Sequence, residues 1–311
     1  MNACWKQLPF LVACLSVWEG MVGGCATVRD EIYLQNVDLE GAPSPTPVHI
    51  TDAGMRKKSF HVSPHVSLGA QKSSTIPLTR QYSEPIPDSL VAFQRAGLQW
   101  DLPTVRMGMD LDLAVSDHVA LMGGISTAMS RGSQLTSGYG GIGLFTPDTG
   151  LSFRLDIGLQ FNATVYKAAS VLVRTTTLYD GSSSREVIYF SDRGKESHLN
   201  FFTNVTLNSS GPGQLIGWFF QIGVSPQTLT SFTPERAVTS SGFGVTHIVS
   251  DERAESSVFW LSGVPGIFLN VGESQRVVVG VRLLKDISDA PEMSSGSSFL
   301  WIPLVQLDWG L

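Results

Sequence analysis

The chain has 311 residues, a formal net charge of −6, 15% charged residues and a mean hydropathy of +0.11. That length allows a sizeable core, the composition is too polar for a bundle of membrane helices, and the acidic balance gives nucleic-acid binding no electrostatic support. The three cysteines, Cys4, Cys14 and Cys25, crowd the first 25 residues, so the remainder has no disulfide framework, zinc site or thiol nucleophile.

In chain order, Lys6 precedes an apolar run over 8–18, of signal-peptide length and too short for a comfortable membrane span. Val22-Gly23-Gly24-Cys25 follows and resembles the lipobox of bacterial lipoproteins, departing from it in Gly23, where Ala or Ser is usual, and in the nearby charge of Glu19. The resemblance implies a leader, 1–24, cleaved before a cysteine that is then acylated on its thiol and amino group. Ala26 after the cysteine is similar to lipoproteins sorted to the outer membrane. Residues 25–59, with Pro43-Ser44-Pro45-Thr46-Pro47, read as an extended lipidated tether that builds no core.

From residue 60 to the end, period-2 alternation recurs and no long amphipathic helix is found. Candidate strands are 60–69, 102–115, 119–129, 138–146, 150–166, 198–208, 214–224, 258–269, 275–284 and 298–311. In 150–166, Leu151, Phe153, Leu155, Ile157, Leu159 and Phe161 alternate with Ser152, Arg154, Asp156, Gly158, Gln160 and Asn162, giving one apolar and one polar face. Most strands have the nine to twelve residues that a tilted strand needs to cross a bilayer. Their connections alternate between long (70–101, 167–197, 225–257) and short (116–118, 147–150, 209–213, 271–274), as in transmembrane barrels. An even strand count puts both ends of the barrel on the short-turn, periplasmic side, where a lipid-anchored N-terminus is expected. Phe299, Trp301, Pro303, Val305, Leu307, Trp309 and Leu311 alternate to the end, similar to the terminal strand that the barrel-assembly machinery recognises in outer-membrane proteins, although Leu311 stands where that family usually ends in Phe or Trp. Trp100, Tyr166, Trp260, Trp301 and Trp309 lie near strand ends, where an interfacial girdle belongs.

Two strands resist this picture. Segments 258–269 and 298–308 are apolar on both faces, which suits a sandwich core, a packed narrow barrel, or a barrel plugged by 88–97.

For chemistry, Arg106, Asp110, Asp112, Arg154, Asp156, Arg276 and Arg282 fall on polar strand faces and point into a barrel lumen. They can bind or pass a small solute, or form a salt-bridged filling, since buried charges must be paired; the filling is preferred. His61, Ser63, His65 and Ser67 share one face and are loosely similar to the His-x-Ser arrangement of outer-membrane lipid A deacylases, but no matching acid is identifiable and no convincing match to the omptin proteases is found. There is no GxGxxG in a strand-to-helix context, no P-loop and no HExxH. The glycine run 138–143 reads as a strand where inward side chains need room. The glycosylation-like triplets at Asn162, Asn204 and Asn208 are treated as chance.

The sequence therefore predicts an all-β protein, an antiparallel transmembrane β-barrel of about ten strands (8–12) over 60–311, in the outer membrane of a Gram-negative-type bacterium and anchored through Cys25. Its expected role is structural, surface-interacting or that of a narrow channel, without enzymatic activity, cofactor, metal or nucleic-acid partner. Its expected partners are the bilayer and the assembly machinery. The alternatives are a lipid-tethered soluble β-sandwich that binds a periplasmic ligand, and a lipid-modifying hydrolase.

Overall fold

A computed structural model describes residues 26–287 and 299–310, apart from 44–46, 52–57, 70–72, 77–78, 82–97, 102, 104, 131–132, 147–149, 179, 212, 233–244, 251–252 and 273. In chain order the strands are β1 (Ala26–Gly41), β2 (Phe60–Leu68), β3 (Ser73–Ile76), β4 (Thr79–Gln81), β5 (Leu98–Asp101), β6 (Val105–Ala114), β7 (Val119–Ser130), β8 (Ser133–Thr146), β9 (Gly150–Thr177), β10 (Ser183–Ser210), β11 (Ile216–Phe232), β12 (Val245–Ser250), β13 (Arg253–Asn270), β14 (Gln275–Asp286) and β15 (Phe299–Gly310).

Ten of these strands form the wall. Antiparallel pairing runs β2-β6-β7-β8-β9-β10-β11-β13-β14-β15, and β15 pairs back onto β2, so the sheet closes without an edge. Its burial is the reverse of a soluble protein's. On β9, Ile157 and Leu159 are 52% and 53% exposed, while Arg154, Asp156 and Gln160 between and beside them are fully buried. The outward row on β6 is Met107, Met109, Leu111 and Leu113, and its inward row includes Arg106, Asp110 and Asp112. A continuous exposed apolar belt around a polar interior is what lipid requires of a closed sheet. The soluble-sandwich alternative is thereby overturned, because a sandwich turns its apolar faces inward. Ile157→Arg, in the middle of this belt, is expected to cost about 2–4 kcal/mol, read as a lowered urea midpoint in liposomes.

The belt also defines the membrane's limits. On β10 the outward residues change from Phe201 and Leu199 to Ser197, Lys195 and Arg193. The stretch 167–197, expected as a loop, is instead mostly strand: β9 and β10 continue as one hairpin through residue 177 and from residue 183, in register throughout. Val171, Val173, Val187, Ile188 and Tyr189 supply the β-branched and aromatic residues that favour strand there. The hairpin turns at Gly181, whose φ of +81° suits glycine. Residues 162–177 span about 50 Å along the strand at about 3.3 Å each, all beyond the belt.

Residues 26–51 are not a loose tether. β1 lies antiparallel to the projecting part of β9, from Thr27 opposite Thr177 to Gly41 opposite Thr164. It also pairs in parallel with β12 and β5. Arg174 grips Asp30 through two hydrogen bonds, Nε to Oδ1 at 2.8 Å and Nη2 to Oδ2 at 2.7 Å, and that contact raises the Arg174 pKa. The chain then enters the barrel, and Ala42, Pro43 and residues 47–51 are buried.

The aromatic girdle needs correction. Trp301 and Trp309 do face outward, but Trp260 is buried and Tyr166 packs beside it in an internal cluster, because both share parity with inward-facing neighbours. The Trp100 side chain and the considered plug at 88–97 lie outside the described residues.

The charged lumen and the segment that fills it as candidate functional site

The lumen is built by alternation: every second residue of ten strands points into a narrow space, and many of the polar groups placed there bond one another. Nearest the short turns, Arg154 is the hub. Its Nη1 and Nη2 reach Asp112 Oδ2 and Oδ1 at 2.5 and 3.0 Å, and its Nε donates to Asp156 Oδ1 at 2.7 Å. Arg154 and Asp156 are wholly buried, and Asp112 almost so. A Cβ added at Gly143 would lie 2.5 Å from an Arg154 nitrogen and 2.8 Å from Asp156 Oδ1, so the glycine run makes room for this guanidinium.

The other expected lumen charges surround this hub. Asp110 accepts the Tyr139 hydroxyl proton at 2.7 Å and lies 3.0 Å from His65 Nδ1. Arg106 donates to Ser126, Ser137 and the carbonyl of Pro43. Arg276 holds Asn270 at 3.0 Å and Asp308 at 3.5 Å, and its guanidinium lies 4.7 Å over the Phe268 ring. Arg282 and Arg106 line a small cavity of about 20 Å³ with His65, Ser67, Asp110 and Tyr139, room for a water rather than a metabolite. Arg154, Asp112 and Asp156 thus form one cluster, Asp110 anchors a second, and Arg276 stands apart with Asp308.

The lumen's other occupant is the chain itself. Residues 42–43 and 47–51 lie buried within the lumen, Ala42 toward the end of the projecting hairpin and Thr51 toward the short turns. Side chains from the wall hold its carbonyls in sequence. Gln227 donates to Ala42 O at 2.8 Å, Arg106 to Pro43 O at 2.9 Å, Gln221 to Pro47 O at 2.6 Å and Gln306 to Val48 O at 3.0 Å. At the lower end the Asn208 amide bonds Thr51 twice, accepting from its N–H at 3.1 Å and donating to its carbonyl at 2.9 Å. His49 reaches the charged hub, with Nε2 3.4 Å from the Tyr139 hydroxyl and Nδ1 3.9 Å from Asp112.

This segment accounts for the strands that are apolar on both faces. Val48 and Ile50 pack with Phe219, Val264, Phe268, Val278 and Leu304. Above them Val37 and Leu39 pack with Leu229, Val258, Trp260 and Leu284, while Leu300 and Ile302 lie alongside. The inward apolar residues of β13 and β15 therefore face apolar side chains of β1 and of the threaded segment, while outward ones such as Ile267 and Val305 form part of the exposed belt.

His61 and Ser63 both engage Asp308 Oδ1, the serine hydroxyl donating at 3.1 Å and His61 Nδ1 lying at 3.3 Å. An activated serine needs its hydroxyl on the imidazole and the imidazole on the acid. Here the carboxylate takes both, which is a structural clamp across the β2–β15 seam. Asn162, Asn204 and Asn208 all face the lumen and are buried, as far from a glycosylation site as the fold allows. Gln221, Gln306 and Asp308 alternate with outward apolar residues of their own strands, and Asn208 falls on the inward face of β10, so alternation alone could have identified them. His49 had no comparable signal.

Together these features define the class: a ten-stranded transmembrane β-barrel whose lumen is closed by its own N-terminal segment. No protein-family model matches the chain, and no characterised protein matches it by sequence. Among solved structures it is similar to the N-terminal β-barrel domain of Pseudomonas aeruginosa OprF, at 7% identity over 83% of this chain and 100% of that one, with a TM-score of 0.26. It is also similar to the translocator domain of the Neisseria meningitidis autotransporter NalP, at 8% identity over 82% and 89% with a TM-score of 0.35. A third likeness is to the monoaromatic hydrocarbon channel TodX, at 8% identity over 83% and 90% with a TM-score of 0.32. These likenesses concern fold alone.

Proposed function

We propose that the chain is a bacterial outer-membrane lipoprotein, cleaved before Cys25 and acylated there, with its last strand read by the barrel-assembly machinery. Its role is to hold a β-structured surface outside the membrane rather than to pass solute. The observation that carries this reading is the occupied lumen: residues 42–43 and 47–51 lie in it and are bonded to β6, β10, β11 and β15. The projecting hairpin of β9 and β10, with β1 against it, would be the contact surface, since residues that carry interactions concentrate outside a rigid scaffold.

The test has two parts. Purified protein in planar bilayers is expected to insert without conductance steps; regular steps from the intact chain would overturn the non-conducting role. Cys25→Ser is expected to abolish acyl labelling while the barrel resists alkaline carbonate extraction. Acyl labelling that survives Cys25→Ser would overturn the anchor assignment.

A further inference from the structure

We infer that Arg193 and Lys195 of β10, with Lys167 of β9 beside them, bind the phosphate of anionic lipid headgroups at the rim of the membrane. The inference needs only the inserted barrel described above. Neither the Cys25 anchor nor the closed lumen enters it.

Alternation sorts the charges of the projecting hairpin by face. On β10, Arg185, Arg193 and Lys195 continue the outward row of the belt residues Leu199 and Phe201. Glu186, Asp192 and Glu196 fall on the other face, where Glu196 Oε2 lies 3.0 Å from His198 Nε2. In a chain of net charge −6, this stretch of β10 therefore turns only basic charges outward. β9 adds to them. Lys167 stands directly opposite Arg193, so both point to the same side, and Lys195 follows two residues along. All three side chains are exposed. Like charges set opposite each other are destabilising, and an anion held between them removes that cost. The acids of the same face, Asp38 and Glu40, belong to β1, on the far side of β9 from β10. Asp38, opposite Lys167, offsets that one charge and leaves Arg193 and Lys195 to the ligand.

Height and continuity with the belt identify the ligand. Lys195 and Arg193 follow Leu199 by about 13 and 20 Å along the strand, at about 3.3 Å per residue. With a strand tilt of about 35–45°, they stand roughly 10 and 15 Å above that residue. The headgroup layer adds about 5–7 Å beyond the hydrocarbon, and the long stems of Lys and Arg reach back toward it along the apolar wall. Lys195 thus meets the phosphates first, with Arg193 and Lys167 above it. Directly below, Leu199 and Phe201 are 67% and 52% exposed and offer a surface to acyl chains. A soluble anion has no use for that surface; a lipid uses both parts of the site. Arg185, near the hairpin's tip, is on the same face but far from the bilayer.

The test titrates phosphatidylglycerol, with zwitterionic phosphatidylcholine as the comparison, into the full chain in neutral detergent and reads bound lipid by native mass spectrometry. The variants are Lys195→Gln, the combination of Lys167→Gln, Arg193→Gln and Lys195→Gln, and Arg185→Gln. Each is first checked for the heat-modifiable gel migration of a folded barrel, and the parent's own lipid preference needs no variant. The parent is expected to bind phosphatidylglycerol more tightly than phosphatidylcholine. Lys195→Gln should weaken phosphatidylglycerol about fivefold, the equivalent of about 1 kcal/mol for one basic residue near an anionic surface. The combined variant should lose the preference, and Arg185→Gln should keep it. A parent that binds both lipids alike, or a combined variant that still prefers phosphatidylglycerol, would overturn the site. Equal losses in Arg185→Gln and Lys195→Gln would also overturn it, because the field of the whole hairpin would then be what attracts the lipid. Inorganic phosphate added at the lipid's concentration is expected to displace none of it; displacement would mark a site for soluble anions and overturn the lipid assignment.

Discussion

Arg154→Met is expected to destabilise the barrel by about 3–5 kcal/mol, the usual cost of removing one partner from a buried ion pair. The side chain is wholly buried and spans two carboxylates from different strands, Asp112 on β6 and Asp156 on its own β9. Its removal leaves both carboxylates without their cation in a site that water scarcely reaches. Arg154→Lys should be intermediate, because an ammonium keeps the charge but lacks the planar fork that reaches both partners. Adding Asp112→Asn and Asp156→Asn to Arg154→Met should recover much of the loss, since neutral amides remove the unpaired charges. The midpoints of urea unfolding in liposomes report all three. An unchanged midpoint for Arg154→Met would mean that the lumen is wet enough to solvate its charges separately.

Deleting residues 26–51 is expected to convert a silent barrel into a conducting one. Residues 42–43 and 47–51 of this segment occupy the lumen, and the groups left behind, Arg106, Gln221, Gln227, Gln306 and Asn208, all lose backbone partners that water would replace. Stability should fall at the same time. Val48 and Ile50 leave a packed cluster, each worth about 1.5–3 kcal/mol of apolar burial, and each lost hydrogen bond adds about 0.5–1.5 kcal/mol. Single-channel steps from the truncated barrel, absent from the parent, are the expected record in planar bilayers. A truncated barrel that inserts and stays silent would show that wall side chains alone close the passage.

The wall was legible because lipid imposes a strict rule. Met107 to Leu113 and Leu151 to Phe161 alternate without exception, and the structure turns those rows outward while their charged neighbours turn in. Short connections also read correctly, since turn chemistry is local. The projecting hairpin did not. Its Ser, Thr and charged residues look like loop when no second strand is considered, and its strand state comes from pairing with partners, including the distant β1. The threaded segment was misread for a related reason. Prolines at 43, 45 and 47 suggest an unstructured tether, yet proline carries no N–H, so Pro43 and Pro47 leave no donor to satisfy inside the barrel. The lumen meets the segment accordingly, with glutamine and arginine donors on its carbonyls. The one sequence-level clue was the pair of strands apolar on both faces, which a water-filled pore would not tolerate and a threaded segment carrying Val48 and Ile50 does.

The most direct measurement is a crosslink across the lumen. Val48→Cys and Gln306→Cys are combined in a chain whose Cys4, Cys14 and Cys25 are serine, and isolated membranes are treated with a small thiol oxidant, so that neighbouring thiols join as a disulfide without a linker having to enter the packed lumen. Because Gln306 bonds the Val48 carbonyl at 3.0 Å, an intramolecular link between positions 48 and 306 is expected in every folded molecule, visible as altered gel mobility after denaturation. Folded, heat-modifiable barrels in which both thiols stay free under oxidation, and become alkylated only after denaturation, would contradict the threaded lumen.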